Sequence, residues 1–236
     1  MSFLAVSNFR TSWLSREALF TLLLLINTAF LSFKLWISKA SFQLISTLGW
    51  VSIILGVITL WCMTSVYLLP AQIAWNISTI QISSYGTALL LGVFSLFVIF
   101  LMDIRFYLTR DVAGAERKIK IVNKSLLGIV ITAVVAAILV IIADLYQISI
   151  LQEIKLEPAL TSLSLLLGIY KPLLILRFSL LVLGLGCFVI YSFRTLLGKQ
   201  NLNDMIELVY LFCLFILVGE IIDRFLFYAT HVRTGI

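Results

Sequence analysis

A chain of 236 residues with 62% hydrophobic and only 12% charged side chains, and a mean hydropathy of +1.14, lies outside the range of soluble globular domains. Its formal net charge of +6 does not signal nucleic acid, because the lysines and arginines fall in short connections between apolar runs, where they set orientation. A spanning helix needs about 20 mostly apolar residues, so the chain reads as an all-α integral membrane protein. A single domain over residues 1–236 and a bundle of about six transmembrane helices are expected.

The chain opens on a polar run that carries aromatic residues, Asn8-Phe9-Arg10-Thr11-Ser12-Trp13-Leu14-Ser15-Arg16-Glu17. It lacks the basic start and apolar core of a signal peptide. It leads directly into the first apolar helix, so Arg16 and Glu17 enter at or just under the membrane surface, where charge is costly. The first span is expected from Glu17 to Ile37, closed by Lys34, Trp36 and Lys39 as an interfacial anchor. The second runs from Phe42 to Tyr67 and stops before Pro70, which cannot continue a helix. The loop that follows is uncharged and includes Trp75 and Asn76. It either lies in the headgroup zone or docks a partner subunit, and Asn8 and Arg10 are further docking candidates.

The third span is expected from Tyr85 to Met102, followed by the densest basic connection in the chain, with Arg105, Arg110, Arg117, Lys118, Lys120 and Lys124. The fourth, from Ser125 to Ala143, is rich in valine and isoleucine. In lipid its backbone must satisfy itself, so it reads as helix and not strand. The segment from Ile148 to Tyr170 mixes Glu153, Lys155 and Glu157 with aliphatic residues, a pattern suited to a helix lying in the interface. The fifth span runs from Pro172 to Phe193, with proline in its first turn, and the sixth from Asp204 to Tyr228. The positive-inside count makes the basic connection cytoplasmic and places both termini on the outer side.

Cys62, Cys187 and Cys213 lie inside apolar runs without paired spacing, so they read as packing residues. The single histidine, His231, argues against haem held between helices by histidine pairs. No metal site is expected, and no cofactor bound by this chain.

With this topology, Glu17, Asp144, Arg177, Glu220 and Arg224 all fall near the outer leaflet, on four different spans. Each alone fits an interfacial role: Glu220 and Arg224 are spaced for an intrahelical ion pair, and Arg177 can neutralise Glu17 or Asp144. As a set they suggest a pocket. An amphiphilic substrate with ionisable oxygens suits it, and a quinol is such a substrate. Glu17 is the candidate catalytic carboxylate, accepting a proton. Arg16 or Arg177 would set its charge balance, and Trp13 would wall the ring. Asp144, Glu220 and Arg224 complete the candidate pocket. With no ligands for an electron acceptor on the chain, electrons would leave to a docked partner.

The opening string resembles that of the membrane anchor subunit of dimethyl sulfoxide reductase, the DmsC type. So do Tyr67-Leu68-Leu69-Pro70 with Ala74-Trp75-Asn76, Leu176-Arg177-Phe178, and the run from Gly219-Glu220 through Asp223-Arg224 to Tyr228. The resemblance implies a subunit of the bacterial inner membrane that holds an iron–sulfur subunit and a molybdopterin catalytic subunit. It further implies oxidation of menaquinol near the outer face, with iron–sulfur clusters and molybdopterin carried by those partners and Glu17 in the quinol-site region. Family members carry eight helices, including two spans and a histidine-containing loop ahead of the point where this sequence starts. Those spans are expected upstream, on another chain, or missing from a shortened form. A small-solute transporter or channel subunit, and a purely structural anchor, are the competing expectations. The first is disfavoured because Gly184 and Gly186 interrupt one helix without a counterpart elsewhere.

Overall fold

The structure, a computed structural model, describes residues 12–37, 41–68, 75–108, 112–197 and 202–230, and side-chain surroundings for all of these except 107–117 and 202–207. All regular structure among them is helical: α1 (Trp13–Trp36), α2 (Phe42–Tyr67), α3 (Thr79–Leu108), α4 (Val112–Glu153), α5 (Glu157–Ser164), α6 (Lys171–Leu196) and α7 (Leu202–Ala229). Five of them are long and apolar enough to cross a membrane. α7 carries Glu220, Asp223 and Arg224 within five residues. The chain is an all-α membrane bundle, as its composition requires.

Local sequence accounts for the helix ends. Ser12 and Ser41 cap α1 and α2, their hydroxyls accepting from the backbone N–H of Ser15 and Leu44 at 3.4 and 3.3 Å. α4 is 42 residues long, or about 63 Å at 1.5 Å per residue, twice the ~30 Å hydrocarbon thickness. It therefore extends past the expected span at both ends. The charges that end the apolar window, such as Lys118, Lys120 and Lys124, are good helix formers once the chain is in water. A break at Ile154–Leu156 and α5, with Pro158 in its first turn, follow. A π-helical turn over Leu165–Ile169, in which Tyr170 N–H donates to Leu165 C=O at 2.9 Å, then leads into α6.

Two compact units divide the described residues: one holds α1 and α2 with residues 75–81, the other the described residues from Ile82 onward. In the first unit α1 and α2 pack as a hairpin. The Asn27 amide joins them, donating to Leu48 C=O at 3.0 Å and to Ser52 Oγ at 2.7 Å. Such interhelical bonds matter in lipid, where apolar burial between helices supplies no driving force. Large apolar side chains such as Leu25, Phe33 and Trp50 face outward, as lipid permits.

The core of the second unit is built on α3, α4, α6 and α7. Leu90, Phe94, Phe97, Leu101 and Ile104 form one stripe of α3. They meet Leu126, Ala133, Ala137 and Val140 of α4, Leu181 and Phe188 of α6, and Phe212 and Ile216 of α7. The Phe188 ring lies 4.8 Å from Phe94 and 5.4 Å from Phe97. Small residues set the helix separations. A Cβ on Gly86 would stand 2.7 Å from Val140 and 3.2 Å from the Ala136 carbonyl, and one on Gly184 would stand 3.0 Å from Ile216 and 3.1 Å from the Phe212 carbonyl. This close packing brings the polar residues of four helices together.

Candidate functional site

The polar residues fall into two groups, one in each unit. In the second unit Arg177, in the second turn of α6, is only 3% exposed. Its Nη2 is 2.7 Å from Asp144 Oδ2 of α4, and its Nη1 is 2.8 Å from Asp223 Oδ1 of α7. One guanidinium thus faces carboxylates from two other helices, a geometry suited to its planar fork. The contact to Asp144 is short but poorly aligned: Arg177 Nε and Nη2 and Asp144 Oδ2 are buried without a well-formed hydrogen bond. Glu220, one turn before Arg224 on α7, is 4% exposed. Its Oε2 accepts the Thr87 hydroxyl of α3 at 2.8 Å, while its Oε1 is buried without a partner. Asp144, Asp223 and Glu220 all act electrostatically on Arg177. The edge-on pair of Tyr170 and Phe225, centroids 5.9 Å apart, braces the start of α6 against α7.

The Arg177–Asp144 pair is one that the sequence offers, and the arrangement differs from expectation at Asp223 and at Glu220. Among the described residues the ion pairs of Arg177 run to Asp144 and Asp223, and Glu220 forms none with Arg224, facing Thr87 instead. Helix packing decides the matter: the Glu220 side chain turns into the bundle, while Arg224 stays half-buried. Asp223 and Thr87 are the members that sequence reasoning passed over. Asp223 had a signal, its i,i+3 spacing from Glu220 on a helix that must face a buried arginine. Thr87 had none, since threonines in apolar helices commonly bond their own backbone.

In the first unit Trp13, Arg16 and Glu17 lie together at the start of α1. The Arg16 guanidinium sits 4.4 Å over the Trp13 ring, a cation–π contact that holds both side chains at the helix mouth. Glu17 lines a cleft of about 390 Å3 with Leu14, Ala18, Thr21, Leu22 and Leu25. These positions share one face of α1, so a single helix supplies the whole lining and the cleft is open along its length. It joins one carboxylate to an otherwise mostly apolar strip.

Of the docking candidates, Trp75 is half-buried with its ring edge-on to Tyr67 at 5.5 Å, and Asn76 is exposed. Asn8 and Arg10 lie outside the described residues, as does His231. Among the described residues no group of three or more His, Cys, Asp or Glu side chains is placed to hold a metal ion.

Long apolar helices, outward-facing aliphatic side chains and charges gathered inside the bundle define a multi-pass integral membrane protein. The family model of the DMSO reductase anchor subunit (DmsC) matches residues 1–230, and the chain belongs to that family. No curated protein and no solved structure matches it. The protein is thus a membrane anchor subunit, and membership implies partnering with the catalytic and iron–sulfur subunits of such a complex.

Proposed function

We propose that the chain oxidises menaquinol in the bacterial inner membrane and passes the electrons to an iron–sulfur subunit, which relays them to a molybdopterin catalytic subunit in anaerobic respiration. The observation that carries this reading is the Glu17 carboxylate at one end of an open apolar cleft. The isoprenoid tail of a quinol fits along Leu22 and Leu25, and its hydroxyl-bearing ring fits beside Glu17. Conversion of quinol to quinone releases two electrons and two protons. In this reading Glu17 takes the first proton from a quinol hydroxyl as general base, water takes the second, and both electrons go to the oxidised iron–sulfur clusters of the partner. Arg16, held over Trp13, keeps a positive charge next to Glu17, and in this reading Trp13 walls the ring.

Both termini lie on the outer side in this proposal, supported by the basic residues gathered around Arg105 and Lys118 to Lys124, which the positive-inside bias holds in the cytoplasm. The proton step at Glu17 does not require Asp144, Arg177, Glu220 or Arg224, and within the second unit Arg177 faces Asp144 and Asp223 while Glu220 faces Thr87. The test is Glu17→Gln in the assembled complex. Loss of quinol oxidation with the partner subunits still bound supports the proposal, and normal turnover would leave the chain a structural anchor.

A further inference from the structure

Charge does not balance within the buried cluster around Arg177 if Asp144, Asp223 and Glu220 are all ionised. Asp144 and Asp223 already share Arg177, and Glu220 stands within electrostatic reach of both and of Arg177 and Arg224. Three carboxylates face one buried guanidinium and one half-buried arginine, within a membrane bundle. Ionised Glu220 would be a third negative charge, in no ion pair among the described residues, with one neutral hydrogen bond and one bare oxygen. An unpaired buried ion of this kind is strongly disfavoured by the cost of desolvating it. A neutral carboxylic acid in the same place removes most of that cost, and its carbonyl oxygen accepts the Thr87 hydroxyl as observed.

We propose that this cluster is a proton-binding site in which Glu220 carries the proton, Thr87 orients its carboxyl group, and the neighbouring carboxylates, which Arg177 ties to the bundle, favour the neutral acid. The second mark of the site, besides the gathered carboxylates, is Glu220 itself, 4% exposed with Oε1 unpartnered. The groups that face it are Thr87 from α3, Asp144 from α4, Arg177 from α6, and Asp223 and Arg224 from its own helix. The ligand is a proton and no metal cation, since these carboxylates do not converge on one point. The site lies wholly within the second unit and does not depend on what Glu17 does.

The test is infrared difference spectroscopy of the membrane-bound complex at neutral pH, without quinol. Subtracting Glu220→Gln from the unsubstituted protein should show the loss of one protonated-carboxyl C=O band. Thr87→Val should keep that band but shift it to higher frequency, because the acid loses its hydrogen bond. Superimposable spectra for Glu220→Gln would overturn the proposal. An unshifted band in Thr87→Val would do the same, and that conservative variant decides the matter if Glu220→Gln does not assemble. Because the band is read in the resting complex, its presence or absence is independent of whether quinol is a substrate.

Discussion

Replacing Arg177 by methionine removes the guanidinium that Asp144 and Asp223 both face at under 3 Å. The side chains are 3%, 9% and 14% exposed, in the order Arg177, Asp144 and Asp223. Breaking one buried pair by removing a single partner costs about 3–5 kcal/mol. The two contacts share one cation and are not additive, and Asp223 reaches more of its surroundings, so the expected loss stays within that range of about 3–5 kcal/mol and does not double. The assay is unfolding of the purified chain in mixed micelles, followed by helix content. Arg177→Met should be destabilised to that extent, and adding Asp144→Asn should restore part of the loss by removing one stranded charge. Equal stability of Arg177→Met and the unsubstituted protein, or no recovery in the double variant, would refute the reasoning.

Helix separation gives a second expectation. Gly184→Val would force side-chain atoms into Ile216 and the Phe212 carbonyl and should cost about 1–3 kcal/mol in the same unfolding assay. Gly186→Ala, where nothing lies within 4 Å of the added carbon, should be neutral or slightly stabilising. For docking, replacing Trp75 and Asn76 together by alanine should release the catalytic and iron–sulfur subunits from membranes, measured by fractionation. Full retention would place that segment in the lipid headgroups.

The length and apolarity of the runs made the helical membrane bundle legible, since no other backbone arrangement in lipid satisfies itself with such sequences. Helix ends were less so. Lys118, Lys120 and Lys124 interrupt the apolar window without interrupting the helix, and Asp144 stands inside α4, which continues to Glu153. Charges mark where lipid ends, whereas the backbone only needs residues that tolerate helix. At the site, depth counting brought Asp144, Arg177 and Glu220 to one level, and they do gather in one cluster. Which partner each takes was hidden, because i,i+4 spacing pairs Glu220 with Arg224, while the actual contacts depend on which face of α7 turns toward α3 and α6. Glu17 was legible as a charge at a helix mouth. Its cleft became visible only once the lining residues were seen to share one face of α1.

The most direct test of the account is menaquinol oxidation by membranes carrying the assembled complex, comparing Glu17→Gln with the unsubstituted chain and recording retention of the partner subunits in the same samples. A positioned general base contributes about 10²–10⁴-fold, so the account predicts a loss of that order with the partners still bound. Unchanged turnover in Glu17→Gln would contradict it.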